Sequence, residues 1–386
     1  MLERKNELKI LNRLIKSYPV TAIIGARQVG KTTLAREVIK SVNKNTYYFD
    51  LENPEDRVRL SDPMLALKDL KGFVVIDEIQ RLPELFPVLR VLADRSPLQC
   101  RFLILGSASP ELIKESSESL AGRVIYHTLN GFMIDEIDTG KYKHLWLRGG
   151  FPRSFLARSH KESHEWRRSF IQTFIERDIP QLGINIRATT LDRFWRMLSH
   201  YHGQIWNSSE FARSFGVADT TIRNYLDLLT SALVVFQLRP WHENISKRQV
   251  KSPKVYINDS GILHSLLNLV DFSDLETHPK VGASWEGFVL HQIIRATGAH
   301  PKECFFWATH AGAELDLMIV RGRQRLGFEI KRASAPKVTP SMRSALTDLK
   351  PDKLEVKYPG EHDFLLEDKI REVSLENLLS EIKPMK

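Results

Sequence analysis

The sequence predicts an α/β protein with a parallel sheet near its N-terminus and a second, smaller α/β region near its C-terminus. In the N-terminal third, strand-like apolar segments alternate with helical segments, and a glycine-bracketed loop joins the first strand to a helix. Near the C-terminus, acidic residues alternate with apolar ones in the pattern of a β-hairpin. The 386 residues also exceed the length of one domain of about 150 residues, so two or three domains are expected.

The first region has the alternation of strands and helices that is typical of a parallel sheet covered on both faces. Leu8, Leu11, Leu14 and Ile15 recur at helical spacing and predict a helix over residues 3–17. Strands are predicted at residues 20–24, 46–50, 73–78, 101–106 and 124–128.

The loop after the first strand has the spacing of a phosphate-binding loop. Residues 25–32 read G-x-x-x-x-G-K-T, and the glycines let the backbone turn its N–H groups toward phosphate oxygens. Lys31 is expected to reach the β- and γ-phosphates of ATP, and Thr32 to offer its hydroxyl to Mg²⁺. The alternative is an ordinary glycine turn, and the strand-loop-helix context argues against it. The predicted nucleotide-binding residues are Gly25, Ala26, Arg27, Gln28, Val29, Gly30, Lys31, Thr32, Thr33 and Asp77.

Two other strand ends add polar groups where a parallel sheet binds its ligands. Asp77 is the predicted second Mg²⁺ ligand, and Glu78 is predicted to polarise the attacking water. Ser107 and Ser109, after the strand at 101–106, are predicted to sense the γ-phosphate. Acids at a strand end also serve as helix caps, which is the alternative role. One strand lies between the loop and Asp77, and this order favours an ATPase over a nucleotide kinase.

Arg123, in the segment Ser-Leu-Ala-Gly-Arg, is a further candidate catalytic residue. Its charge would stabilise the transition state at the γ-phosphate of its own subunit or of a neighbouring one in a homo-oligomer. It would equally suit a solvated surface, and the sequence leaves these three positions open.

Bulk composition excludes some classes of protein and favours one class of partner. The net charge of +9 favours polyanions such as DNA or RNA. Cys100 and Cys304 have no C-x-x-C spacing, which indicates structural thiols and argues against a zinc site. No apolar run approaches the roughly 18 residues of a membrane helix. The charged N-terminal segment lacks the apolar core of a signal peptide, so a cytoplasmic protein without membrane contact is expected.

The middle of the chain is predicted to be mostly helical. Trp166, Phe170, Phe174 and Ile175 share one face of a helix over 166–178, and such a stripe is typical of a core. We interpret this part as a helical lid.

Residues 205–238 carry a helix-turn-helix pattern in which Asn207 caps the first helix, Gly216 ends it and Asp219 opens the second. DNA reading and simple packing both remain open, because only one residue of the exposed set is basic. That set is Thr220, Thr221, Arg223 and Asn224. The segment 246–254 carries four cations that either grip phosphates or are solvated.

A second acidic group is predicted near the C-terminus. Asp316 opens one hairpin strand, Glu329 and Lys331 share a face of the other, and Glu286 lies on an upstream helix. Carboxylates that hold Mg²⁺ across a phosphodiester, with a lysine to orient water, form the set used in its hydrolysis. Asp316 and Glu329 are the predicted ligands, Glu286 an outer ligand and Lys331 the water-orienting group. An exposed hairpin with alternating charge is the alternative, although the flanking apolar residues indicate partial burial.

These motifs together resemble the bacterial and archaeal AAA+-type P-loop ATPases that carry a C-terminal DUF4143 domain. The resemblance covers nearly the whole chain and rests on the segments at 25–32, 74–84, 119–123, 148–152, 176–184, 251–261, 281–289 and 312–331. It implies ATP binding through Lys31, Thr32 and Asp77, and a C-terminal fold similar to restriction endonucleases.

The expected domains are a P-loop ATPase domain at 1–130, a helical lid with a winged-helix-like segment at 131–245, and a nuclease-like domain at 246–386. The expected function is a Mg²⁺-dependent ATPase that couples nucleotide state to a C-terminal domain that handles nucleic acid. The alternative is a nucleotide-gated scaffold or signalling protein whose nuclease-like domain is inert.

Overall fold

A computed structural model describes residues 2–42, 45–107, 118–181, 186–242, 250–382 and 385. The chain divides into two compact units. The first consists of Met1–Gly131 with Ser231–Leu233, and the second of Phe132–Thr230 with Val234–Lys386. In the described part of the chain, no helix combines the length and the apolar character needed to cross a membrane.

The first unit is built on a five-stranded parallel sheet with the order β2-β3-β4-β1-β5. Its strands, all close to the predicted positions, are β1 Val20–Gly25, β2 Thr46–Asp50, β3 Gly72–Asp77, β4 Cys100–Ser107 and β5 Val124–Thr128. β1 lies between β4 and β5, and Val20 is in register with Phe102 on one side and Val124 on the other. Every residue of β1 is buried, as expected for a central strand covered on both faces.

Helices of the first unit connect these strands. They are α1 Lys5–Ser17, α2 Lys31–Ser41, α3 Pro54–Arg59, α4 Pro63–Leu67 and α5 Leu85–Ala93. α1 begins two residues after the predicted start, and its buried face includes Leu11 and Ile15. α3 and α4 each begin with proline after a side-chain cap, from Asn53 and Asp62 respectively. Proline at the first helical position needs no N–H partner, so both starts follow from the local sequence.

The second unit begins with the helical region that the sequence predicts as a lid. Its helices are α6 Tyr142–Arg148, α7 Pro152–Phe155, α8 His160–Thr173, the π-helical turn Phe174–Asp178 and α9 Ile179–Gln181. Short 3₁₀ helices lie at Ile134–Glu136, Thr139–Lys141 and Pro301–Glu303 in this unit, and at Ile79–Arg81 in the first unit. The aromatic stripe packs in the interior, where Phe170 and Phe174 are buried and the Trp166 ring stacks on Phe170 at 5.5 Å.

A winged-helix arrangement follows the lid helices. It consists of α10 Ala188–His200, β6 Gln204–Ile205, α11 Ser208–Phe215, α12 Asp219–Ser231, β7 Val235–Pro240 and β8 Lys254–Ile257. β8 pairs antiparallel with both β6 and β7. Gly216 ends α11 with φ +66°, as predicted. Asn207 occupies the N-cap position of α11, as predicted, but its side chain makes no capping hydrogen bond. Instead, the Ser208 and Ser209 hydroxyls donate to Asp219 at 3.1 and 2.8 Å.

The C-terminal region completes a nine-stranded mixed sheet with the order β13-β14-β12-β11-β10-β9-β7-β8-β6. Its strands are β9 Cys304–Ala308, β10 Glu314–Arg321, β11 Gln324–Ile330, β12 Lys353–Tyr358, β13 Phe364–Glu367 and β14 Ile370–Ser374. Its helices are α13 Ser260–Leu266, α14 Phe272–Thr277, α15 Val281–Thr297, α16 Pro340–Leu349 and α17 Leu378–Glu381. β10 and β11 form the predicted hairpin.

The nine-stranded sheet continues across the predicted domain limit at residue 245. β7 pairs in parallel with β9, with Arg239 opposite Phe305. The winged-helix segment and the C-terminal α/β region therefore share one set of backbone hydrogen bonds, and the limits at 130 and 245 stay predictions.

Candidate nucleotide site and carboxylate cluster

The loop between β1 and α2 has a backbone that only certain residues tolerate. Gly30 has φ +103° and Gln28 has φ +62°, both in the left-handed region. A Cβ on Gly25 would lie 2.5 Å from the Leu129 carbonyl oxygen, so a side chain cannot fit there. α2 begins at Lys31, directly after this turn. The N-terminus of α2 therefore opens toward the loop, where it favours an anion.

Lys31 is held inside the loop. Its Nζ donates to the carbonyl oxygens of Gly25 at 3.1 Å and Ala26 at 3.2 Å, and only 6% of the residue is exposed. The other predicted loop residues lie around it. Arg27 pairs with Glu52 at 3.1 Å, and Thr33 is exposed on α2.

Asp77, at the end of β3, is the centre of the site. Its Oδ2 accepts hydrogen bonds from the Thr32 hydroxyl at 2.8 Å and the Tyr48 hydroxyl at 2.7 Å. Its Oδ1 accepts from the Glu78 N–H at 2.9 Å. A carboxylate beside a hydroxyl at a helix N-terminus suits Mg²⁺, which prefers oxygen ligands. The structure thus brings Thr32 and Asp77 together, and this donor set fits the predicted metal ion.

Tyr48 is a member of this site that the sequence interpretation missed. It lies opposite Val75 in the register of β2 with β3, so its side chain shares a face with Asp77, two residues along. Burial and the Asp77 carboxylate raise the pKa of Tyr48 well above its usual value, so the phenol stays a proton donor. The signal that could have identified Tyr48 is the alternation of side chains along a strand, which places Tyr48 and Asp77 on the same face of two adjacent strands.

Replacement of Tyr48 by Phe removes one of the two side-chain donors that orient Asp77. A net hydrogen bond of about 1 kcal/mol corresponds to a severalfold loss, so we expect the Mg²⁺ concentration for half-maximal ATP hydrolysis to rise severalfold. Tyr47→Phe is the matched control, because Tyr47 packs against the hydrophobic core of the first unit. The measurement is ATP turnover as a function of Mg²⁺ concentration. If the two variants show the same dependence, Tyr48 does not contribute to the metal site.

Glu78 follows Asp77 in an unusual conformation. Its φ of +55° lies in the left-handed region, which is strained for a residue with a side chain. The Gln80 side-chain amide donates to Oε2 of Glu78. Left-handed backbone at a strand end is common where function requires a particular side-chain direction. Gln80 is therefore a second contributor that the sequence interpretation did not identify.

Ser107 and Arg123 lie at opposite ends of the parallel strands. Ser107 pairs with Gly25 in the β1–β4 register, and its buried hydroxyl has no hydrogen-bond partner among the described residues. It therefore lies beside the loop, as predicted. Ser109 lies outside the described residues.

Arg123 immediately precedes β5, and its carbonyl oxygen accepts from the N–H of Val20 at 3.2 Å. Because β1 and β5 are parallel, Arg123 lies at the N-terminal ends of the strands, and the loop lies at their C-terminal ends. The guanidinium makes two hydrogen bonds to Asp94, at 2.6 and 2.9 Å, and lowers the pKa of that carboxyl. The alternative in which Arg123 contacts the γ-phosphate of its own subunit is thus wrong, because strand direction separates the two.

In the second unit, the predicted acidic residues come together around the β10–β11 hairpin. The Asp316 Oδ2 accepts from the Ile330 N–H at 2.8 Å, and Lys331 pairs with Glu329 at 2.7 Å. Burial and the Asp316 charge raise the pKa of Glu286 to about 7 and that of Glu329 to about 8. We call Glu286, Glu314, Asp316 and Glu329 the carboxylate cluster.

Lys254, the last residue of the basic segment 246–254, lies inside this cluster. Lys254 begins β8, and its side chain is 5% exposed. Its ammonium lies 3.2 Å from Glu286 Oε1 and 3.8 Å from Asp316 Oδ1, and it also pairs with Glu314. Burial lowers the pKa of Lys254, but Tyr256 and the surrounding carboxylates outweigh this effect and hold the pKa well above its usual value.

The predicted metal role of Glu286, Asp316 and Glu329 does not fit this arrangement. Among the described residues, no group of three or more His, Cys, Asp or Glu side chains is placed to hold a metal ion. The cation at the centre of the cluster is an ammonium group.

Three family models match successive parts of the chain. A family described as "AAA domain" matches residues 17–138, the Domain of unknown function DUF8612 matches 139–273, and the Domain of unknown function DUF4143 matches 281–378. Curated proteins of Mycobacterium tuberculosis and Mycobacterium bovis, both described as uncharacterized, are 52% identical over 380 residues. The match covers 98% of this chain and 85% of each relative. The chain belongs to the AAA+-type P-loop ATPases that carry a C-terminal DUF4143 domain. In this ATPase, Glu286, Asp316 and Glu329 lie within the DUF4143 match, and Lys254 lies within the DUF8612 match.

Solved structures with some similarity include a Walker-type ATPase of Pyrococcus abyssi, with 14% identity and a TM-score of 0.49. The match covers 69% of this chain and 96% of that one. A RuvB variant of Thermotoga maritima matches with 18% identity and a TM-score of 0.29, over 62% of this chain and 90% of that one.

Proposed function

We propose that this protein is a Mg²⁺-dependent ATPase that couples its nucleotide state to the C-terminal nuclease-like region. The observation that carries the proposal is the contact of Thr32, at the start of α2, with Asp77, which directly precedes Glu78. Two strand ends thereby contribute a phosphate loop, a metal-binding carboxylate and a base to one edge of a sheet. The match to an AAA domain over residues 17–138 supports this assignment.

Each residue of this site has a role that its position supports. The loop N–H groups and Lys31 bind the phosphates, and Ser107 donates toward the γ-phosphate. Thr32 and Asp77 hold Mg²⁺, which neutralises phosphate charge when bound. Glu78 orients and deprotonates water, and Tyr48 fixes the Asp77 carboxylate. Arg123 is left with two of its predicted positions, a surface ion pair or the nucleotide of a neighbouring subunit in a homo-oligomer.

A polyanion is the partner that the charge balance supports. The net charge is +9, and Thr220, Arg223 and Asn224 of the winged-helix segment are exposed. DNA or RNA is therefore our proposed regulator of hydrolysis in a cytoplasmic setting. The buried thiols of Cys100 and Cys304 are free, as suits a reducing compartment.

The test is ATP hydrolysis by the full chain with and without DNA and RNA. We expect Mg²⁺-dependent turnover that one of the nucleic acids stimulates, with stimulation that falls as salt is raised. Turnover that no nucleic acid changes would contradict the coupling, and the absence of turnover with Mg²⁺ would contradict the ATPase assignment.

Whether the C-terminal region cuts nucleic acid is a separate question, and the position of Lys254 favours the inert alternative. Labelled DNA and RNA incubated with Mg²⁺ or Mn²⁺ distinguish the two. Binding without cleavage supports a nucleotide-gated scaffold, whereas cleavage lost in Asp316→Ala supports a nuclease.

A further inference from the structure

We propose that the ammonium group of Lys254 is the built-in cation of the carboxylate cluster and excludes divalent metal ions from it. The inference concerns the second unit alone and does not depend on ATP hydrolysis. Lys254 lies outside the DUF4143 match, yet it decides whether this cluster binds a metal ion.

The burial of Lys254 requires charged partners. An ammonium group that loses its water is destabilised unless carboxylates replace that water. Lys254 lies 3.2 Å from Glu286 and 3.8 Å from Asp316, and Glu314 completes the set. The exposed fraction of its side chain is 5%, so solvent contributes little. Three acids around one lysine are more than a structural ion pair needs.

Two of these acids accept further hydrogen bonds. Tyr256 donates to the same Glu286 oxygen at 2.6 Å, and the Ile330 N–H donates to Asp316 Oδ2 at 2.8 Å. Lys331 pairs with Oε1 of Glu329, whereas Oε2 of Glu329 is buried without a hydrogen-bond partner among the described residues. A metal ion held between Glu286, Glu314 and Asp316 needs the lone pairs that face the Lys254 ammonium, so it has to displace Lys254 from that position.

Charge balance predicts the effect of removing this lysine. Glu286, Glu314 and Asp316 face Lys254, and Glu329 faces Lys331. Without Lys254 the first three acids lose this cation, and a carboxylate as buried as that of Asp316 is strongly destabilising without one. A divalent ion then restores the balance, and the space left by the lysine side chain gives it room.

The experiment measures Mn²⁺ binding to the full chain without nucleotide, by electron paramagnetic resonance of free Mn²⁺. We expect Lys254→Ala to bind Mn²⁺ roughly tenfold or more tightly than the natural sequence does, with binding lost again in Lys254→Ala combined with Asp316→Asn. Mn²⁺ should also raise the unfolding temperature of Lys254→Ala and leave that of the natural protein unchanged.

Lys357→Met is the matched control. Lys357 is also fully buried in this sheet, but its ion-pair partner is one carboxylate, Glu355, at 2.8 Å. Its removal should create no Mn²⁺ site, which separates the cluster from a general effect of losing a buried lysine.

Two outcomes would overturn the proposal. One is a folded Lys254→Ala protein that binds Mn²⁺ no better than the natural protein. The other needs no lysine variant. If the natural protein binds Mn²⁺ and Asp316→Asn abolishes this binding, the cluster accepts a metal ion with Lys254 in place. Binding unchanged by Asp316→Asn supports the exclusion even if Lys254→Ala fails to fold.

Discussion

Replacement of Glu78 by Gln is expected to lower ATP turnover at least about 100-fold while ATP still binds, because a positioned general base contributes on the order of 10² to 10⁴ in rate. The amide keeps the size of the side chain but cannot take a proton from water. Glu78 directly follows Asp77, and its side chain takes no part in the hydrogen bond between Asp77 and Thr32. The measurement pairs steady-state hydrolysis with equilibrium binding of a fluorescent ATP analogue.

Two further variants make this result specific. Glu84→Gln alters an exposed carboxylate of the same segment and should leave turnover unchanged. Lys31→Ala should lose nucleotide binding as well, because the phosphates lose their cation. Normal turnover in Glu78→Gln would exclude Glu78 as the base, and loss of ATP binding would mean that the carboxylate supports the pocket instead.

Replacement of Arg167 by Ala is expected to destabilise the second unit by about 3 kcal/mol or more, since truncation leaves a cavity and unpaired buried groups. Arg167 is completely buried in α8. Its guanidinium donates to the Ser265 hydroxyl at 2.8 Å and to the Arg148 carbonyl oxygen at 3.1 Å. Burial lowers the pKa of Arg167 to about 10, so the group remains charged at neutral pH. Denaturant unfolding monitored by tryptophan fluorescence measures the loss.

Arg168→Ala provides the control from the next position of the same helix, where the side chain is exposed. It removes the same charge and side-chain type without opening the interior, so its unfolding free energy should change by less than about 0.5 kcal/mol. Equal stability of the two variants would show that the Arg167 hydrogen bonds are weak.

The first unit was predictable because its signals are local. Each strand of the parallel sheet is a short apolar run, and the phosphate loop and Asp77 follow directly from such runs. The edge on which Arg123 lies was also available from the sequence, because Arg123 precedes a parallel strand whereas the loop follows one. The topological rule was sufficient to exclude a contact within one subunit.

Lys254 was not predictable in the same way. Its neighbours in the chain are basic, and this composition suggested solvent or phosphate. Its partners are distant in sequence. Asp316 meets it because β8 and β10 belong to the same sheet, and Glu286 meets it from the helix α15. Ion pairs formed by tertiary packing leave no periodic pattern, so a charged segment cannot reveal which of its lysines is buried.

The pairing of β7 with β9 decides where this chain can be shortened. A fragment that stops at residue 245 retains β7 but lacks both of its neighbours, β8 and β9. Its backbone N–H and C=O groups would then be bare on two sides, a template for self-association. Recombinant pieces cut at that point carry a built-in tendency to aggregate, whatever their nucleotide chemistry.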